Sequence, residues 1–167
     1  PQNRERIYIV ALHKKKVSDL NFEFPENIKQ TKTVNDILEK KVDEKYTISD
    51  RLWISHQRRR QKHRANGNGF GYSLFDKTSE YTSTISARYY KDGSEILIKQ
   101  KGRNPRKLTP REAARLQGFP ETFKIPVSDT QSYRQFGNAV PVPVIREIAK
   151  RISKRKCYGS VSYTHLT

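Results

Sequence analysis

The sequence predicts an α/β fold present only in part. Three observations carry that prediction. Ile7 to Leu12 is an unbroken apolar run with β-branched residues, the pattern of a strand buried on both faces of a parallel sheet. Residues 81–99 read as a hairpin turning at Asp92-Gly93, with a return strand over Glu95 to Lys99. Residues 143–155 place Val144, Ile145, Ile148, Ala149 and Ile152 at helical spacing, one face of an amphipathic helix. A lone strand of the first kind has no partners in this chain, so the pattern points to a sheet built by polypeptide upstream of Pro1.

Between these landmarks the local signals are mixed α and β. A basic cluster at His13 to Lys16 ends the first strand, and a loop around Pro25 follows. Thr33 has the chemistry of an N-cap ahead of an apolar stripe of Val34, Ile37, Leu38 and Val42. A second helix is expected to start near Ser49, carry Leu52 and Trp53, and run into the basic segment RRRQKHR at 58–64. GNGFG at 67–71 predicts a loop whose backbone turns sharply or passes close to a partner. Thr109-Pro110-Arg111-Glu112 combines an N-cap, a proline at the first helical position and a capping box. A short helix through Ala113 and Leu116 should follow and stop at Gly118. Another loop is expected after Pro126, and a Gly137-Asn138 turn should open the last helix, presenting backbone N–H groups to a ligand.

The chain has 167 residues, 34 basic and 17 acidic, for a formal charge of +17. That balance calls for a polyanionic partner. Nucleic acid fits better than a membrane, since no apolar run approaches the ~20 residues of a spanning helix, and no signal peptide is visible. The single Cys157 excludes an internal disulfide and agrees with a reducing, cytoplasmic setting. No methionine occurs anywhere, so Pro1 is not expected to be a translation start, and the chain is expected to be processed or cut from something longer. The terminal SVSYTHLT at 160–167 reads as translated transposon-end sequence of the kind used in preparing sequencing libraries; the alternative is an ordinary frayed terminus.

Three blocks taken in order give these signals a context. They are PQNRERIYIV at 1–10, RKLTPREAARLQGFPETF at 106–123 and QFGNAVPVPVIREIA at 135–149. Together they resemble the C-terminal part of the DNA (cytosine-5) methyltransferases. The region from GNGFG to TISARYYKDGSEILI resembles the target-recognition domain of the Dcm-like group. The resemblance implies an α/β fragment: the last strand (residues 1–13) and the returning C-terminal helix (126–156) of an S-adenosylmethionine-dependent methyltransferase domain. A mixed α+β target-recognition domain would be inserted at 14–125, and 157–167 would be a non-native tail. It also implies double-stranded DNA as partner, S-adenosylmethionine as cofactor, and a catalytic N-terminal portion outside this chain.

The resemblance also distributes roles. Gln2, Arg4 and Arg6 alternate as residues on one strand face do, and the two guanidinium forks suit phosphate or a base carbonyl. In the family this block lines the pocket for a flipped cytosine, with Arg6 touching the base. The competing reading is a pair of solvated arginines. Arg58, Arg59, Arg60, Lys62 and Arg64 would follow DNA phosphates, or else form a solvated helix face. Gly67, Asn68 and Gly69 would make a recognition loop. Thr84, in a Thr-Ile pair where the family usually has Thr-Leu, would approach the DNA near the flipped base. Arg88 could read guanine in the major groove. For these last five residues, plain structural duty competes evenly. Arg111 and Glu112 read as scaffold. Asn138, Ala139 and Val140 would complete the cofactor pocket. The family's nucleophile is a cysteine after proline, whereas Cys157 follows Lys156 and is not expected to fill that role. The recognition sequence would be of the CCWGG or CCNGG type. Two rival readings stand beside this one: a natural subunit of a split methyltransferase, and a noncatalytic basic nucleic-acid-binding module.

Overall fold

A computed structural model describes residues 1–15, 21–26, 32–69 and 71–154; Cys157 and the 160–167 tail lie outside these. The chain divides into two compact units. One holds the described residues of Pro1–Arg4 and Gln30–Val142, and the other those of Glu5–Lys29 and Pro143–Thr167. This division differs from the boundaries expected at 13/14 and 125/126, because residues 1–4 and 126–142 fold with the middle of the chain.

In the first unit, α1 (Val34–Ile37) is opened by a capping box: the Thr33 backbone N–H donates to the Asp36 carboxylate at 2.7 Å. A short 3-10 turn at Glu44–Tyr46 leads to Ser49, whose Oγ accepts from the Leu52 N–H and starts α2 (Asp50–Ala65). Both helices begin where the sequence places them, for the capping reasons given.

The sheet does not follow the expected hairpin. Three short strands run in the order β1 (Leu74–Phe75), β2 (Leu97–Gln100), β3 (Arg103–Arg106), with β1 parallel and β3 antiparallel to β2. The tight turn therefore falls at Lys101-Gly102. Residues 81–90 form no named strand; Thr82 makes an isolated parallel bridge to Gln2, and turns occupy 87–92. The reason is the polar and aromatic content of this stretch. Tyr89 is fully buried, its hydroxyl donating to the Ile96 carbonyl at 2.6 Å and accepting from the Leu108 N–H at 2.8 Å. A side chain bridging two backbone segments in this way replaces the ladder that a second hairpin strand would have made.

Helix α3 (Pro110–Leu116) carries the predicted capping box at Thr109 and Glu112. A helix absent from the sequence expectations, α4 (Asp129–Asn138), is capped by Ser128 and buries Ser132, Tyr133, Phe136 and Gly137. The core lies between α1, α3, α4 and the sheet, around Val34, Ile37, Ile85, Tyr89, Ile96, Leu108, Ala113 and Phe136. A buried ion pair threads it. Arg106 meets Glu112 at 2.7 and 2.8 Å, and the same carboxylate accepts from the Thr109 N–H at 2.9 Å and the Glu39 N–H at 2.8 Å. With four donors around it, the Glu112 carboxylate is the scaffold element the sequence predicted.

In the second unit, α5 (Val142–Ser153) appears close to its predicted span, but only Ile148 is buried; Ile145 and Ile152 are exposed. The expected strand at Ile7 to Leu12 is not formed. The backbone there is outside any named strand, and Ile7 and Ile9 are 91% and 88% exposed. A strand needs a hydrogen-bonded neighbour, and among the described residues none lies alongside this run.

Candidate functional site

Two of the three candidate base-pocket residues are tightly held. The segment 1–3 lies beside Thr82, with the Asn3 N–H donating to the Thr82 carbonyl at 2.9 Å and the Thr82 N–H to the Pro1 carbonyl at 3.0 Å. Gln2 Nε2 donates to Gln117 Oε1 at 3.0 Å, and its own Oε1 accepts from the Ile85 N–H at 3.4 Å. Arg4 reaches three backbone carbonyls: Ile85 at 3.0 Å, Gly137 at 3.0 Å and Ala139 at 2.9 Å. The last two are end carbonyls of α4, where a cation also complements the helix dipole. Arg6 belongs to the second unit; it is exposed, and its guanidinium donates to the neighbouring Glu5 carbonyl. The single-face alternation expected for the three residues therefore does not hold as one strand.

The Gly137-Asn138 segment does not open a helix. It closes α4, with Ala139 as the C-cap. Gly137 is buried against backbone: a Cβ there would lie 2.3 Å from the Ser86 carbonyl group and 2.4 Å from the Ala87 nitrogen. Asn138 and Val140 are exposed beyond it, while Ala139 is half-buried. Gln117, fully buried and absent from the sequence candidates, connects these pieces. It donates from Nε2 to the Phe136 carbonyl at 2.6 Å, and its own carbonyl accepts from the Val142 N–H at 2.9 Å. The signal that could have found it was a glutamine directly after the apolar positions Ala113, Ala114 and Leu116 of a short helix. A polar residue on a core face needs partners.

The recognition candidates are distributed over α2 and two loops. Arg58, Lys62 and Arg64 are exposed on α2. Arg59 binds Asp92 at 3.1 Å and also donates to His56 Nδ1 at 2.8 Å. Arg60 is half-buried, its guanidinium 4.7 Å from the centre of the Tyr72 ring. Gly67, Asn68 and Gly69 are exposed directly after α2. The Thr84 hydroxyl donates to the Asn3 carbonyl, which joins the 82–85 segment to the chain start, and Arg88 is exposed. His56 is buried, and burial holds its pKa below the ordinary histidine value. Among the described residues there is no cluster of three metal-ligating side chains, and no helix is long and apolar enough to cross a membrane.

Two solved structures share this fold. An Entamoeba histolytica methyltransferase superposes with a TM-score of 0.61 at 19% identity, over 79% of this chain and 43% of that one. The Dnmt2 methyltransferase of S. pombe gives 0.60 at 19%, over 74% and 42%. At these identities the likeness is one of fold. The sequence adds the family: the model for the C-5 cytosine-specific DNA methylases matches residues 1–154, and the chain belongs to that family. It is 66% identical over 153 residues to the type II methyltransferase M.SsoII of Shigella sonnei, covering 91% of this chain and 40% of the relative. It is 62% identical to M1.ScrFI of Lactococcus lactis subsp. cremoris, covering 91% and 39%. A DNA-cytosine methyltransferase of Escherichia coli K12 is 40% identical, with 93% of this chain and 38% of the relative covered. The chain thus spans less than half the length of the curated relatives it matches.

Proposed function

We propose that this chain is the DNA-recognition and pocket-closing part of a DNA (cytosine-5) methyltransferase of the restriction-modification type. The whole enzyme would transfer a methyl group to a cytosine taken out of a short duplex site. The observation that carries the proposal is the family match running from residue 1 to 154 while accounting for only part of each relative. A portion of the enzyme bearing the cysteine nucleophile would complete it, and the recognition sequence would be of the CCWGG or CCNGG type.

Each group has a place in this reading. Arg6 is exposed, with a guanidinium that donates to its own neighbour's carbonyl, and would meet the flipped cytosine. Gln2 and Arg4 would be positioning residues, holding Ile85 and the 137–139 turn in one arrangement, while the Asn3 carbonyl between them accepts from the Thr84 hydroxyl. Arg88, Arg58, Lys62 and Arg64 are exposed cations suited to DNA; phosphate contacts position a protein, and base-edge contacts give it sequence preference. At the end of α4, a carboxamide (Asn138) that can hydrogen-bond and an apolar side chain (Val140) are both exposed, a combination that fits the polar and apolar parts of a nucleoside. They would hold S-adenosylmethionine together with Ala139. When bound, that cofactor supplies the electrophilic methyl group.

The test is methyl transfer from labelled S-adenosylmethionine to duplex DNA. The chain alone should give no incorporation, and adding an upstream segment with a Pro-Cys nucleophile should restore it. Turnover by the chain alone, or none by the assembled halves, refutes the proposal. Sequencing 5-methylcytosine in DNA exposed to the assembled enzyme identifies the site.

A further inference from the structure

The basic run at 58–64 is not uniform. Arg60 lies between exposed Arg58 and Lys62, yet it is turned inward. Its guanidinium stacks on Tyr72 at 4.7 Å, and Tyr72 in turn meets Trp53 edge-on at 4.7 Å and 63°. Gly71 completes the contact. A Cβ there would stand 2.9 Å from Arg60 Cγ and 3.1 Å from Arg60 Cβ, so the stem of the arginine runs directly under the glycine backbone.

This stack sits at one root of the glycine loop. The other root is the last turn of α2, where the Gly67 N–H donates to the Arg64 carbonyl at 3.0 Å and the Asn68 N–H to the His63 carbonyl at 2.8 Å. Past Tyr72 the chain joins the sheet, with the Ser73 N–H donating to the Ser94 carbonyl at 2.9 Å and the Leu97 N–H to the Ser73 carbonyl at 2.9 Å. Neither Gly67 nor Gly69 has any atom within 4 Å of the position a Cβ would take. Glycines standing in open space take their conformation from the anchors on either side, and fixing the anchors lowers the ordering cost of binding.

We propose that Arg60, Tyr72 and Trp53 form a clamp that sets the conformation of Gly67–Gly69. Arg60 and Tyr72 are then positioning residues for sequence preference, not phosphate contacts. The inference rests on the reading of this loop as part of the DNA-recognition surface.

Two readouts separate a clamp from a phosphate contact. The first is binding of the full chain to a random-sequence duplex pool and to its enriched duplexes across a salt series. Arg58→Ala should lower the slope of log K against log[salt] by about 0.9 and leave the enriched sequence unchanged. Arg60→Ala and Tyr72→Leu should keep the wild-type slope and reduce the preference for the enriched duplex at least about tenfold, the scale of one lost base-edge contact. Tyr72→Phe, which keeps the ring, should retain the preference. The second readout is intrinsic fluorescence. Trp53 is the single tryptophan of the chain, so its emission reports the stack directly. That emission should move to the red in Arg60→Ala and Tyr72→Leu, and hold in Arg58→Ala and Tyr72→Phe. If Arg60→Ala unfolds the chain, Arg60→Met keeps the stem under Gly71 and removes only the cation. A lowered slope with intact preference in the Arg60 variant overturns the inference. A wild-type chain that enriches no sequence refutes the recognition reading beneath it, whatever Trp53 does.

Discussion

A Cβ at Gly137 would fall 2.3 Å from the Ser86 carbonyl group, closer than any non-bonded carbon can approach, and the obstacle is backbone that cannot rotate away. Gly137→Ala should therefore destabilise the first unit by about 1–3 kcal/mol, the range for overpacking a tight core, measured as a lower denaturation midpoint. An Asn138→Ala change one residue on, at an exposed position, should leave the midpoint nearly unchanged. His56 makes a second prediction at this scale. It is 1% exposed and places Nδ1 against Arg59 and Nε2 at 3.3 Å from the Asp92 carbonyl. Its folded pKa is lowered from 6.5, chiefly by burial and only partly offset by Asp92. The unfolded chain therefore binds the proton more readily than the folded one. The stability His56 contributes is complete above about pH 6.5 and falls as acid carries the chain down toward the folded pKa. Urea midpoints measured from pH 8 to pH 5 should decline over that window, and His56→Gln should flatten the decline. An equal decline in the variant would assign the effect to other groups.

Three helix starts were legible because they are chemistry of four consecutive residues. Thr33 with Asp36, Ser49 with Leu52, and Thr109 with Glu112 all act through side chains that reach only the next turn. Strand pairing was not legible, since it is decided by residues far apart. The return strand expected over Glu95 to Lys99 forms at 97–100, but its partners are 74–75 and 103–106, while Tyr89 in the 81–90 stretch is buried and bonds Ile96 and Leu108 through its hydroxyl. Helix α4 was missed for a similar reason. Gln-Ser-Tyr-Arg-Gln-Phe has a modest apolar stripe, and its Tyr133 and Phe136 become a core face only once α3 and Leu108 are opposite them. At the candidate site, residue identities were readable and directions were not. Arg4 looked like a ligand-facing arginine, yet its guanidinium holds three carbonyls, contacts that only the folded positions of Ile85, Gly137 and Ala139 bring within reach.

At the scale of the whole molecule, the run Ile7 to Leu12 joins no strand among the described residues and has its isoleucines in solvent, and on the apolar face of α5 Ile148 is buried while Ile145 and Ile152 are exposed. Exposed apolar side chains and unpaired backbone each cost free energy that pairing recovers, roughly 25 cal/mol for each Å² of apolar surface removed from water. A sheet supplied by the remainder of the proposed methyltransferase would satisfy both. Amide hydrogen exchange measures this directly. In the chain alone, the amides of residues 7–12 should exchange at close to unstructured rates, because nothing described accepts their hydrogen bonds. In the complete enzyme the same amides should slow by several orders of magnitude, the protection of a central strand that opens only with the domain. The buried core amides of β2 should be protected in both. If residues 7–12 exchange equally fast in the complete enzyme, the apolar run is not a sheet strand, and the assignment of this segment to a methyltransferase sheet falls with it.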